Sequence, residues 1–547
     1  TAGIENVVTG HDNIADGRKN EVKGDLNVAT GRTNKIDGKG NLVSGIVNKA
    51  TGEANIVDGI DNKVEGHNNI ANGRKNEVKG DLNVVSGRVN QVVGDTNIAD
   101  GIHNKVDGKL NITSGRSNEV KGINNIVDGK ANEINGEDNI AFGKKNVTNG
   151  NNNSSLGDGN RVRGKENSTL GDKNTVKGEN NTTSGKLNRV EGKDSYVAGR
   201  ANANIGDNNV TDGIYNKVNG NNNLASGRSN EVNGSNNSVS GLVNRVEGKL
   251  NTVDGTDNKV FGKNNIASGK NNIVSGDNTT SNGRDNEVSG NNSVAYGNEN
   301  IVKGDKNTAI GKSNDVIGNN SYASGDGNAV SGEKAIGSGI GNKVTGDNSL
   351  AYGRLNEING DKSSVLGADN KINGNKNLAL GNENAVNGDK NTTLGATNKV
   401  DGIKNLTNGV DNKVSGNYNT TSGERNNISG HNNETSGNAN EIKGNFDVTV
   451  GGRNKIAGLD NATTGNENKV TGDYNRTFGE KNTVVASNSS TIGNVNDISG
   501  DYHKTIGEKN TVKGHNNATT GNQNRVTGNE NSTLGDKNTV KGENNTT

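Results

Sequence analysis

The side chains of this chain with the most obvious chemistry are asparagines. Asn111, Asn167, Asn181, Asn391, Asn405, Asn419, Asn433, Asn461, Asn475, Asn517, Asn531 and Asn545 each stand two residues before a threonine, the acceptor pattern for N-linked glycans in a secreted eukaryotic chain. The nine from Asn391 onward form the densest candidate glycosylation tract. The competing reading is that the fold imposes this spacing from inside, which would hide the amides from a transferase. Other reactive constellations fail on spacing. The histidines His11, His67, His103, His431, His503 and His515 include no pair at metal-ligand spacing. Gly311-Lys312-Ser313 ends like a phosphate-binding loop, but the first glycine of that motif would fall on Lys306. The aspartates do not follow the nine-residue calcium repeat, and acidic pairs have no pocket to work in. With no cysteine, thiol catalysis, thiolate metal sites and disulfides are excluded. The reading is a non-enzymatic protein with no catalytic residue, no metal and no cofactor.

The elements that carry these asparagines follow from a period. Glycine recurs at every seventh position from Gly3 to Gly542, and Ala486 is the sole exception. Written G1-x2-x3-N4-x5-V6-x7, each heptad has Asn at position 4 except at Ser195, Thr279, Ser293, Ser321, Ala335, Ser349, Ser363, Asp447, Ser489 and His503. Alternate heptads differ, so the unit is fourteen residues. The heptads opening at Gly10 and Gly24 carry an aliphatic, Ser, Thr or Tyr residue at position 5, whereas those opening at Gly17 and Gly31 mostly carry a charge there. The former are called even and the latter odd. A glycine in every second turn and no a/d seam exclude a helix. With 26% hydrophobic residues, no Pro, Met or Trp, and 62 basic against 62 acidic side chains, several large globular cores are excluded too.

Strand alternation puts positions 4 and 6 on one face and positions 5 and 7 on the other. If the second face were inside, Glu21, Lys35, Lys49, Lys63 and Glu77 would be buried ions at several kcal/mol each. Positions 4 and 6 therefore point inward. Each heptad supplies one short strand and one corner at glycine, where φ > 0 is expected, and two heptads close a coil. The fold class is an all-β parallel β-solenoid of about 39 coils, stacked at roughly 4.8 Å, forming one continuous array over 1–547. The absence of Pro suits a fully paired ladder. Asn6, Asn13, Asn20, Asn27, Asn34 and their successors form a structural ladder, amide to amide or amide to corner backbone. A core this thin invites burial against something else. The outward column Ile14, Val28, Leu42, Ile56, Ile70, Val84, Ile98 and Ile112 is the candidate face for a homo-oligomer. From Thr393 onward position 6 of the even heptads is Thr, and position 7 becomes apolar at Leu394, Val450, Phe478, Ile492, Ile506 and Leu534.

The segments Asn292-Ser293-Val294-Ala295-Tyr296-Gly297, Asn307-Thr308-Ala309-Ile310-Gly311, Asn348-Ser349-Leu350-Ala351-Tyr352-Gly353 and Asn377-Leu378-Ala379-Leu380-Gly381 resemble head repeats of the YadA-like trimeric autotransporter adhesins. That resemblance extends over essentially the whole chain. It implies a left-handed β-roll, trimerisation and attachment to host matrix or other surfaces, although Asn dominates position 4 where that family often has Ser or Ala. Internal duplications, such as Glu166–Thr183 recurring 26 coils later at Glu530–Thr547, point to a fragment of a longer repetitive product. The functional expectation is an extracellular or cell-surface fibre element for adhesion or scaffolding, acting through repeated weak contacts. The alternative is a glycan-coated filament or matrix polymer without a receptor. Ice binding ranks lower, because the regular Thr column is predicted inward. Balanced charge, with no basic run, argues against nucleic acid, and no apolar stretch is long enough to span a membrane.

Overall fold

A computed structural model describes residues 1–547 as an all-β parallel solenoid of about 39 coils with two strands per coil and no helix. The coils gather into two compact units, Thr1–Asn271 and Asn272–Thr547. In each unit the even heptads build one sheet, here sheet A, and the odd heptads build the other, sheet B. Pairing is in register at fourteen residues: Ile14 faces Val28 and Gly17 faces Gly31 in sheet A, and Glu21 faces Lys35 in sheet B.

The interior is two columns of position-6 side chains enclosed by position-4 amides. In the first unit Ala15, Ala29 and Val43 from sheet A meet Val22, Ile36 and Ala50 from sheet B, all buried. In the second unit the sheet A column passes from Ala351, Val365 and Ala379 to an unbroken run of threonines from Thr393 to Thr533, all buried. The predicted inward threonine column is therefore where the sequence placed it.

The asparagine ladder is present at both corners and, in the first coils, bonds differently at each; in later coils of the second unit both corners share one pattern, as Asn405 and Asn412 do. Ahead of sheet A, Asn41 Nδ2 donates to Asn27 Oδ1 at 3.0 Å and to Gly52 O at 2.7 Å. Ahead of sheet B in the first coils, Asn34 Nδ2 donates to Thr30 O at 2.7 Å and to Gly45 O at 3.0 Å. At both corners the Oδ1 accepts the backbone N–H of the next coil's asparagine, as Asn20 Oδ1 does from Asn34 at 3.0 Å. Asn6 and Asn13 begin the two files and are half-buried, while Asn20, Asn27 and Asn34 are buried. Each amide thus satisfies a backbone group that the corner leaves without a ladder partner.

Two residues per corner have positive φ. Gly31 lies at +108°, and a Cβ built there would stand 2.1 Å from Gly45 O. Glycine is required as much by the approach of the next coil as by the dihedral angle. Position 3 is also left-handed, at φ near +60° for residues as different as Leu82, Val89 and Tyr215. That second αL position carries no strict residue signature, and sequence reasoning missed it.

Position 2 supplies caps between coils. An Asp or Asn there accepts the N–H of the preceding coil's position 2, as Asp95 Oδ1 does from Asp81 N at 3.1 Å and Asp81 Oδ1 from His67 N at 2.7 Å. The strands beneath these caps run for three residues at Glu77–Lys79 and for five at Lys63–His67.

Candidate functional site

The two sheets present chemically opposite outer faces. On sheet B, opposite charges stack between coils: Lys35 lies 3.1 Å from Glu21, Lys217 2.9 Å from Glu231 and Lys371 3.0 Å from Glu357. These pairs are solvent-exposed and contribute little stability; they describe a hydrated ionic surface. Glu119 and Glu357 are held below the ordinary glutamate range, chiefly by hydrogen bonds from Lys121 and Lys371.

Sheet A is different. Its strands expose position 5 and, two residues on, position 7. The expected column Ile14, Val28, Leu42, Ile56, Ile70, Val84, Ile98 and Ile112 occupies the outer position 5 of this sheet; Ile14 is 56% exposed and Ile112 44%. Position 7 of the first unit carries mostly Ser, Thr, Asn and Asp, with Phe142, Leu156, Leu170 and Ala198 among them, and four of the acids are tied down along the column. Ser44 Oγ donates to Asp58 Oδ1, and Ser86 and Ser114 repeat that bond to Asp100 and Asp128. In the second unit, eleven successive coils from the strand Thr280–Arg284 to Thr420–Glu424 carry no acidic or basic residue at either position. The face there consists of Thr308, Ile310, Ser324, Ile336, Leu378, Thr392 and similar side chains. Charge re-enters position 5 at Glu434, Arg476 and Lys504. The position-7 rank is the part of this face the sequence reading undervalued; its signal is the absence of Lys, Arg and Glu from that position throughout the even heptads.

The other candidate residues lie elsewhere. The glycosylation candidates Asn391, Asn405, Asn419, Asn433, Asn461, Asn475, Asn517 and Asn531 are buried ladder members, and Asn545 belongs to the last coil. Asn405 Nδ2, for instance, donates to Gly416 O at 2.7 Å and to Asn391 Oδ1 at 3.1 Å. A folded chain presented to an oligosaccharyltransferase is expected to gain no mass at the eight buried asparagines, which peptide-resolved mass spectrometry would check. The histidines are dispersed, with His503 inside the ladder, where burial lowers its pKa. No group of three His, Asp or Glu side chains is arranged around a common metal position.

Against known proteins, the family model described as the grass antifreeze β-roll matches residues 56–129, 156–262, 262–353, 407–493 and 477–547. No curated protein matches the chain. The family match overturns the resemblance to YadA-like adhesin heads, and with it the adhesive or scaffolding fibre and its glycan-coated alternative. The reason is physical. A glycine at the close approach, a small inward side chain and a polar corner residue are what any fourteen-residue coil requires, so the spacing identified the coil and left the family open. The inward threonine column was also the wrong test for ice binding, since the same strands carry an outward face of aliphatic, hydroxyl and amide side chains on sheet A. With its matches spread over more than half of its length, the chain belongs to the grass antifreeze β-roll family.

Proposed function

We propose that this protein binds ice through the outer face of sheet A, with the eleven coils from Thr280 to Ser422 as its main contact surface. The observation that carries this reading is the absence of acidic and basic side chains from positions 5 and 7 along that stretch, on a chain that is 23% charged. An ion keeps a liquid-like hydration shell around itself. Hydroxyl, amide and methyl groups fixed on a ladder hold water at a set repeat, about 4.8 Å between coils and about 6.6 Å between the two ranks of one strand. Because the backbone is bonded to both neighbouring coils, these groups are ordered before ice arrives, and little entropy is left to lose on binding. Water bridging such groups is enthalpically close to a direct hydrogen bond. Family membership supports the same reading.

Thr308→Lys combined with Leu378→Lys tests it. The pair should lower thermal hysteresis and inhibition of ice recrystallisation by at least about tenfold, since each lysine brings a strongly hydrated charge. Lys399→Thr, on the outer face of sheet B, should leave both unchanged. Equal activity of the double-lysine variant and the parent would refute the assignment.

A further inference from the structure

The corner that closes each sheet A strand carries a second organised surface. Position 2 of the odd heptads, the last residue of strands such as Ile14–Arg18 and Ile70–Arg74, forms one file along the first unit. Between residues 18 and 144 this file contains only arginine, lysine and isoleucine. The ladder stacks like charges directly on one another: Arg18 faces Arg32, Arg74 faces Arg88, Arg116 faces Lys130, and Lys130 faces Lys144. None of these seven cations has an ion-pair partner, unlike many of the charges on sheet B. In the adjoining corner position the only acid over the same coils is Asp61. Like charges directly opposite each other in a ladder destabilise it; the nearest acids on the same strands, Asp16, Asp58, Asp100 and Asp128, stand two residues before the file and form no ion pair with it. Sheet B also stacks some like charges, such as Lys35 on Lys49, but it mixes them with opposite pairs such as Glu21 on Lys35 and Lys63 on Glu77, whereas this file holds no acid between residues 18 and 144. Fourteen-residue spacing hides the file from a linear reading of charge.

Interleaved with the cations are Ile46 and Ile60, each 43% exposed, and Ile102 at 39%. No aromatic side chain occurs in the file, so it offers no stacking platform for bases. We propose that this edge docks on an anionic lipid surface: the arginines and lysines pair with phosphate and carboxylate headgroups, and the isoleucines enter the boundary between headgroups and acyl chains. Charge complementarity selects this occupant, since clustered Lys and Arg are drawn to anionic leaflets, and interspersed aliphatic groups add the apolar burial that interfacial binding requires. The edge is separate from the two ranks assigned to ice, so its test is independent of that reading.

Flotation of the full chain with vesicles decides the matter. At low ionic strength it should bind phosphatidylcholine vesicles containing about one-third phosphatidylserine and ignore pure phosphatidylcholine, with the binding lost as salt screens the surface. Arg74→Glu with Arg88→Glu should weaken binding by at least about tenfold, on the scale of about fivefold per cation. Ile46→Ser with Ile60→Ser, which keeps every charge, should weaken it severalfold, with circular dichroism unchanged in both variants. Failure to float with the anionic vesicles, equal flotation with neutral ones, or insensitivity to the isoleucine pair would overturn the proposal. Preferential capture by heparin or duplex DNA in competition would assign the edge to a soluble polyanion and overturn it equally.

Discussion

Gly129→Ala is expected to break the first unit at one point. The glycine has φ +121°, and an added Cβ would lie 1.9 Å from Gly143 O and 2.8 Å from its carbonyl carbon. Both obstacles are backbone of the next coil, so no side chain can swing aside. An alanine held at φ +121°, well outside the αL well, costs about 1–3 kcal/mol, and forcing apart a packed contact adds about 1–3 kcal/mol more. The coils of a solenoid contact only their neighbours, so this cost of roughly 3 kcal/mol or more cannot be shared over the array. The expected result is a thermal transition that splits in two, with new proteolytic cleavage near residues 129 and 143. Gly40→Ala provides the contrast. Gly40 has φ +67°, but the nearest heavy atom to its added Cβ is Ala54 N at 4.0 Å, in a position where leucine and valine already tolerate αL. It should melt within about 1 kcal/mol of the parent. A single unchanged transition for Gly129→Ala would show that the heptad glycine is not a steric requirement.

That contrast marks how far the sequence could be read. The strict glycine, the inward amides and the alternation of heptads are imposed at every coil by backbone contacts, so they recur and can be found by counting. Position 3 is equally constrained in dihedral angle, yet it opens to solvent. Leu82, Asn124 and Tyr215 all serve there, and residue identity gives no warning of the conformation. The face assigned to ice was legible only in part. The aliphatic column from Ile14 was evident, but its function was not, because the same exposed apolar stripe suits a second protein chain or an ordered water layer. What separates these is the company the column keeps at position 7, where Asp58 is bonded by Ser44 and where the second unit carries no charge at all. Such information lies in a neighbouring column of the sheet, and the strand geometry has to be drawn before it is visible. The misassigned family has the same origin: residues dictated by the coil repeat faithfully in unrelated proteins, whereas residues that meet the outside world vary from coil to coil.

Asp447→Asn should stabilise the second unit at neutral pH and leave it nearly unchanged in acid. Asp447 is the one carboxylate in the asparagine ladder and is fully buried. Its Oδ1 accepts from Asn461 N at 2.9 Å and Asn461 Nδ2 at 3.0 Å, as an asparagine would. Its Oδ2 takes the place of the amide nitrogen and has no partner, where Asn419 and Asn433 donate to glycine carbonyls at 2.8 Å and 2.9 Å. Burial pushes the carboxyl up from 3.8 to about 6, favouring the protonated form, whose hydroxyl can donate as the amide does. A pKa raised on folding means that Asp447 contributes fully below about 3.8 and that this contribution is lost as the pH rises through about 6. Above that range the loss amounts to about 3 kcal/mol, and the asparagine variant should recover most of it as a higher denaturant midpoint at pH 8. At pH 3 the two proteins should unfold together. His503 supplies the opposite slope. Its pKa is lowered by burial, so its contribution is complete above the ordinary value of 6.5 and declines as the pH falls below it. In the parent the two slopes oppose each other just below about pH 6; in Asp447→Asn only the histidine slope survives, and the variant's advantage should shrink steadily as the pH falls from about 6 to 3.8. An advantage that stays constant with pH would mean that the ladder tolerates an ionised carboxylate, and the raised pKa would lose its structural basis.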